Sequence, residues 1–224
     1  MALDLAVLIS GGGSNLQAII DKIEAGALTA RLKTVISNRA EAPGLQRAAR
    51  HNIPHLLLDH RNFPSREAYD LELARLIKEA GADTVALAGF MRILSPAFIQ
   101  AFPGRILNIH PALLPSFAGI RGQQDAVDYG VKLSGCTVHF ADEIMDHGPI
   151  IIQAAVPAMP GESRDELAGR ILALEHRCYP QALQWLSENR LRISGRQAHL
   201  QGPSRPLAAT NSSSLVNPPL EENF

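Results

Sequence analysis

The chain has 224 residues, 46% of them hydrophobic, which is enough for one large α/β domain with a sizeable core. Its formal net charge is -1, from 21 basic and 22 acidic side chains, so we expect no surface for nucleic acid or an anionic membrane. No apolar stretch reaches the roughly 18 to 20 residues that a membrane-spanning helix needs.

The cysteines and the N-terminus indicate the compartment. Cys136 and Cys178 belong to no disulfide framework or metal-binding pattern, so we expect free thiols in a reducing environment. The first residues lack the charged region of a signal peptide and lead directly into a predicted strand. These features predict a soluble, cytoplasmic protein.

The first half of the chain alternates strands with helices. A continuous apolar run, typical of a strand buried in a parallel sheet, occurs at residues 5–9, and further strands are predicted at about residues 32–36, 54–58, 84–88 and 105–109. Helical signals occupy the segments between them, at about residues 16–26, 40–51 and 65–80, with a short helix from Ser95. This alternation predicts an α/β, Rossmann-like fold: a mostly parallel twisted sheet flanked by helices.

The pattern changes after residue 135. Residues 136–140 and 149–153 predict a late antiparallel strand pair around a loop at 142–148, and a long amphipathic helix follows from about Ser163 to Glu188. We therefore predict one domain over residues 1–195. Residues 196–224 are rich in Pro, Ser and Asn, which predicts a disordered or loosely attached extension.

A glycine turn follows the first strand and opens the first helix. Gly13, Ser14 and Asn15 end this turn, where backbone amides at a helix N-terminus bind phosphate. The P-loop lysine is absent, Leu16 replaces the last glycine of a dinucleotide fingerprint, and Ser37-Asn38 replaces its acidic residue. The pattern favours a small phosphorylated ligand such as a monophosphate. The alternative is a glycine-rich turn without a ligand.

Asn108 and His110 lie at the end of a predicted buried strand, where open α/β sheets bind ligands. Residues two apart on a strand face the same way, so the amide could orient a polarised oxygen while the imidazole handles a proton. A carboxylate of the loop at 142–148 could stabilise the charged imidazole. The sequence does not select among Asp142, Glu143 and Asp146, and a plain polar strand end is the alternative.

Several motifs, in this order, resemble the phosphoribosylglycinamide formyltransferases, folate-dependent enzymes of purine biosynthesis. They are LISGGGSNLQAII at 8–20, SREAYD at 65–70, LAGFMRILSPAF at 87–98, ILNIHPALLP at 106–115, GCTVHFADEIMDHGPIIIQ at 135–153 and EHRCYP at 175–180. The similarity covers roughly residues 4 to 193. It implies the formyltransferase fold, with residues 1–195 as the catalytic domain.

The resemblance also implies roles for individual residues. Those matching the phosphoribosylglycinamide site are Gly13, Ser14, Asn15 and, less closely, Glu175. Those matching the folate site are Arg66, Met91, Arg92, Ile93, Leu94 and Asn108. Those matching the catalytic amide, imidazole and carboxylate are Asn108, His110 and Asp146. The loop after Pro115 departs from the pattern, because Arg121 and Gln123 stand where many relatives have histidines.

The resemblance implies transfer of a formyl group from 10-formyltetrahydrofolate, a co-substrate, to the amine of phosphoribosylglycinamide in de novo purine biosynthesis. No metal is expected. The partners would be small molecules, with neither nucleic acid nor membrane, and the protein would be a monomer or a homodimer. The alternatives are a formyltetrahydrofolate hydrolase, a transferase acting on methionyl-tRNA, and a non-catalytic regulator that binds folate or nucleotide.

Overall fold

The computed structural model describes residues 2–202 and 214–224. The chain divides into two compact units. The first unit comprises Met1–Asn108 with Ala141–Glu143, and the second unit comprises Ile109–Phe140 with Ile144–Phe224. Within residues 2–202 and 214–224, every helix is too short or too polar to span a lipid bilayer.

The first unit contains a parallel sheet with the strand order β3-β2-β1-β4-β5. Its strands are β1 (Leu3–Ile9), β2 (Ala30–Ser37), β3 (His55–Leu57), β4 (Thr84–Leu87) and β5 (Ile106–His110), the last of which continues into the second unit. The central strand β1 is completely buried from Leu5 to Ile9. A strand covered on both faces needs apolar side chains at every position, which explains its unbroken apolar run.

Four helices accompany this sheet: α1 (Ser14–Glu24), α2 (Pro43–Arg50), α3 (Arg66–Glu79) and α4 (Pro96–Ala101). The cap of α3 is Ser65, whose hydroxyl accepts a hydrogen bond from the Ala68 N–H, and Ser95 caps α4 in the same way. Aromatic and aliphatic side chains of α3, α4 and the strands form one buried cluster that includes Tyr69 and Phe98.

The second unit contains α5 (Gly122–Tyr129), β6 (Leu133–Phe140), β7 (Ile150–Pro157) and α6 (Arg164–Ser187), followed by β8 (Leu191–Ser194), β9 (Gln197–Leu200) and β10 (Leu215–Asn217). Strands β6 and β7 are antiparallel, and α6 packs on both. Ser163 and Glu166 form a complete capping box that begins α6. Cys136 and Cys178 are buried free thiols, and contact with Cys178 together with burial raises the pKa of Cys136.

The predicted fold class is confirmed: the sheet of the first unit is parallel, helices flank it, and the late strand pair is antiparallel. The sequence missed α5, whose first residues lie in the segment at 116–124 that was expected to be a loop. Three of its eight residues, Gly122, Gln123 and Gln124, are buried or half-buried but not apolar, so the sequence shows little apolar periodicity there.

The expected disordered extension at 196–224 is corrected for its described residues. Strand β9 pairs with β8 and with β7, and β10 pairs with β7 through residues 215–217. Leu220 is only 6% exposed, and the Glu221 carboxylate lies 2.9 Å from the Arg190 guanidinium. These contacts order short segments that have little intrinsic preference for a strand. Residues 203–213 lie outside the described part of the chain.

Candidate active site

The glycine turn has the conformation that its residues allow. Gly13 has φ of 70°, a left-handed conformation that residues with a Cβ rarely adopt, and α1 begins at the next residue. A Cβ on Gly13 would also lie 2.8 Å from the Cα of Gly44. Gly13 and Asn15 are buried, and Ser14 is half-buried. The three predicted phosphate-binding residues therefore lie together at the start of α1.

Helix α2 fixes this turn from the side. The Gly44 N–H donates to the carbonyl oxygen of Gly11 at 3.1 Å, and the Arg47 Nε donates to the carbonyl oxygen of Gly12 at 2.7 Å. Two successive carbonyl groups of the turn are thus bound by α2. Arg47 brings a positive charge to a turn where an anion is expected, which adds to the helix N-terminus.

The segment Met91–Leu94 presents two apolar side chains to solvent. Met91 is 55% exposed and Ile93 is 52% exposed, whereas Leu94 is buried in the core. The guanidinium carbon of Arg92 lies 4.7 Å from the centre of the Tyr69 ring. Exposed apolar side chains beside a fixed arginine provide a surface for a planar ring system.

Helix α3 contributes the other predicted folate-contacting residue. Arg66 is exposed at the start of α3, and its guanidinium lies 3.2 Å from the Glu67 carboxylate. One turn later, Asp70 is completely buried and its carboxylate accepts a hydrogen bond from the Ser95 N–H at 2.5 Å. Burial raises the pKa of Asp70, an effect that this hydrogen bond partly offsets.

His110 and Asp146 lie side by side in the second unit. His110 ends β5 and is buried, and its Nδ1 lies 3.5 Å from the Oδ2 of Asp146. The Oδ1 of Asp146 lies 3.9 Å from the Nε2 of the buried His139. Of the three carboxylates that the sequence left open, Asp146 is thus placed beside His110. Asp146 itself has φ of 54°, a left-handed conformation that is uncommon for residues with a Cβ.

The loop after Pro115 contacts this pair through its main chain. The His110 Nε2 donates to the Phe117 carbonyl oxygen at 2.9 Å, and the Gly119 N–H donates to Asp146 at 2.8 Å. A Cβ on Gly122 would lie 2.8 Å from the Phe117 oxygen and 3.4 Å from the His110 Nε2. The exposed Arg121 instead forms ion pairs on α5. The departure from the two-histidine pattern therefore leaves these main-chain contacts in place.

The remaining predicted residues lie on defined elements. Asn108 is half-buried on β5, two residues before His110, and Glu175 is buried in the middle of α6. Among the residues that the structure describes, no group of three or more His, Cys, Asp or Glu side chains could hold a metal ion.

Comparison with known proteins identifies the family. The sequence pattern of the formyl transferase family matches residues 3–183. The chain belongs to the formyl transferase family. The phosphoribosylglycinamide formyltransferase of Escherichia coli (strain K12) is 44% identical over 204 residues, which cover 91% of this chain and 96% of that protein.

Two further relatives define the extent of this similarity. A crystal structure of glycinamide ribonucleotide transformylase 1 from Symbiobacterium toebii matches this formyl transferase with a TM-score of 0.89 at 48% identity, covering 90% of this chain and 95% of that one. The trifunctional purine biosynthetic protein adenosine-3 of Drosophila pseudoobscura pseudoobscura is 50% identical over 190 residues, 84% of this chain. The chain spans only 14% of that longer protein.

Sequence reasoning missed several residues that position the candidate site of this formyl transferase. Arg47 and Gly44 hold the glycine turn, and the carbonyl oxygen of Phe117 accepts a hydrogen bond from His110. Main-chain contacts such as that of Phe117 depend on the folded loop and have no signature in the residue type.

Proposed function

We propose that this protein transfers the formyl group of 10-formyltetrahydrofolate to the amine of N1-(5-phospho-D-ribosyl)glycinamide, giving formylglycinamide ribonucleotide and tetrahydrofolate in purine (IMP) biosynthesis. The observation that carries the proposal is the buried His110 at the end of β5 with Asp146 at 3.5 Å. The names of the Escherichia coli and Symbiobacterium toebii relatives support the same reaction.

The proposed chemistry begins with attack of the neutral amine on the formyl carbon, which places negative charge on the formyl oxygen. The Asn108 amide donates a hydrogen bond to this oxygen, and a protonated His110 stabilises it further. As the bond between the formyl carbon and N10 breaks, His110 gives its proton to N10 of the departing folate, and the former amine nitrogen loses one proton to water, so that a neutral amide forms. Asp146 stabilises the charged imidazole through the 3.5 Å contact.

In the structure, the Nε2 of His110 is hydrogen-bonded to the Phe117 carbonyl oxygen. A substrate atom that takes a proton from this nitrogen must replace that carbonyl. Gly119, with φ of 93°, lies two residues after Phe117 and lets the loop change its path at low cost. We propose that this part of the loop moves when substrates bind.

We assign the substrate positions by the same residues. Gly13, Ser14 and Asn15 bind the phosphate of the ribonucleotide, and Glu175 binds its ribose hydroxyls. Arg66 and the segment Met91–Leu94 bind the folate, with Asn108 at the reacting end. We further propose a cytoplasmic monomer or homodimer in which residues 1–195 form the catalytic domain.

The test is an absorbance assay with 10-formyltetrahydrofolate, run with and without phosphoribosylglycinamide. We expect loss of the formyl group only when the amine is present, with formylglycinamide ribonucleotide as the product. Loss of the formyl group without the amine would indicate a hydrolase and contradict the proposal. No reaction in either condition would indicate a binding protein. A His110→Asn variant, prepared in parallel, controls for contaminating enzymes.

A further inference from the structure

Ser10 is a buried hydroxyl between β1 and the glycine turn. It follows the last residue of β1 and precedes Gly11, and only 5% of its surface is exposed. Its N–H donates to the Gly89 carbonyl oxygen at 3.0 Å, which joins the ends of β1 and β4. Burial of a hydroxyl is costly unless its hydrogen-bonding groups are used, so its partners indicate its role.

The Ser10 hydroxyl both donates and accepts a hydrogen bond. Ser10 Oγ donates to the Oδ1 of Asn38 at 2.5 Å, and it accepts from the Met91 N–H at 2.8 Å. An amide oxygen can only accept a hydrogen bond and a backbone N–H can only donate one, so the direction of this series of hydrogen bonds is fixed. It runs from the Met91 N–H through the Ser10 hydroxyl to the Asn38 side chain.

Asn38 is held in turn. It is 2% exposed at the end of β2, and its Nδ2 lies 3.4 Å from the Nδ1 of His60. This is the position at which dinucleotide-binding folds carry an acidic residue for a ribose. Here the Asn38 amide oxygen accepts a hydrogen bond from the buried Ser10 hydroxyl instead.

The chain of hydrogen bonds connects two parts of the proposed active site. Ser10 adjoins the turn that ends at Gly13, and Met91 is the first residue of the proposed folate segment Met91–Leu94. No side chain of that segment takes part in the bond, which holds the main chain alone. Met91 and Ile93 are thus exposed on a backbone that the interior keeps in place.

We propose that Ser10 is a positioning residue that fixes the folate-binding segment relative to the phosphate turn, with Asn38 orienting its hydroxyl. This inference rests on the proposed function. Removing the hydroxyl leaves the Met91 N–H without its acceptor and frees the segment to shift. The folate site then loses affinity, while the turn keeps the carbonyl contacts made by Gly44 and Arg47.

The first experiment measures both Michaelis constants in Ser10→Ala. Loss of one buried hydrogen bond predicts a KM for 10-formyltetrahydrofolate raised roughly 10-fold, with the KM for the ribonucleotide changed less than about 2-fold. Ser10→Thr keeps the hydroxyl and should restore the folate KM. The matched control is Ser37→Ala. Ser37 is a buried serine like Ser10, but it lies on β2 and its hydroxyl donates to the Arg39 carbonyl.

A double-mutant cycle tests whether Asn38 acts through Ser10. Asn38→Ala should raise the folate KM less than Ser10→Ala does, and the double variant should resemble Ser10→Ala alone. Additive effects, or an equal rise in both Michaelis constants, would overturn the proposal, as would a folate KM unchanged in Ser10→Ala.

Calorimetric titration with tetrahydrofolate separates this inference from the proposed function, because it needs no transfer reaction. Weaker binding to Ser10→Ala than to the wild type and Ser37→Ala supports the positioning role even where the wild type transfers no formyl group. If the wild type transfers the formyl group but tetrahydrofolate binds equally to the wild type, Ser10→Ala and Ser37→Ala, the inference is contradicted and the proposed function is not affected.

Discussion

The glycine turn of the first unit and the His110–Asp146 pair of the second unit are held in different ways. The turn is bound by a neighbouring helix, with hydrogen bonds of 3.1 and 2.7 Å to two successive carbonyl oxygens. The pair has a contact of 3.5 Å and depends on main-chain groups of a loop at Phe117 and Gly119. The proposed binding element is thus held by a helix, whereas the proposed acid–base element is completed by main-chain groups of a loop.

The largest expected effect tests the acid–base side of this comparison. His110→Asn and Asp146→Asn should each lower kcat by about 100-fold or more, because each removes the charged group of a general acid or of its partner. The change should appear in kcat with little change in either KM. Steady-state kinetics at saturating substrates measures it, and near-wild-type turnover in either variant would contradict the assignment.

Removal of the C-terminal residues tests how far the second unit depends on distant parts of the chain. Deleting residues 203–224 removes β10 and the buried Leu220. Burial of one leucine is worth about 2 kcal/mol, so thermal unfolding should show a Tm lowered by roughly 5 °C or more. Leu220→Ala should give most of this change. An unaltered Tm would mean that the extension contributes nothing to folding.

Substitution of two helix glycines, Gly122 and Gly169, tests the contact between the loop and His110. Gly122→Ala places a Cβ against the Phe117 oxygen and the His110 ring, so we expect kcat to fall about 10-fold with the fold intact. Gly169→Ala is the matched control, since Gly169 also lies in a helix of the second unit and has open space around it. Equal kcat values for the two variants would show that the loop tolerates displacement.

The smallest expected effect concerns the glycine turn. Arg47→Ala removes one hydrogen bond to Gly12 and one nearby charge, which predicts a KM for the ribonucleotide raised about 5-fold at unchanged kcat. Arg50→Ala, at the end of the same helix, removes an equal charge from a position three residues after Arg47. A rise in both variants would assign the effect to net charge, not to the bond.

The sequence predicts the buried centre of the parallel sheet well. The completely buried part of β1 appears as an unbroken apolar run, and α6 carries a complete capping box that marks its start. The strand β10 could not be predicted, since a segment of three residues among prolines and serines becomes a strand only through its pairing with β7.

The candidate site was predictable only in part for a related reason. Glycines and the Asn108–His110 spacing are local signals. The pairing of His110 with Asp146 joins residues far apart in the chain, and the carboxylate was selected by the family resemblance. The hydrogen bond between Ser10 and Asn38 spans 28 positions and leaves no pattern in the order of residues.

The pairing of β10 with β7 has a consequence for the behaviour of the protein in concentrated solution. Strand β7 pairs with β6 along one side, and on the other side β9 meets it at Ile150 while β10 covers Gln153 to Ala155. An uncovered strand offers its backbone amides and carbonyls to any other chain, which is a common start of aggregation. The pairing of β10 therefore satisfies the backbone groups of β7 at Gln153 to Ala155, which would otherwise be open to a strand of another chain.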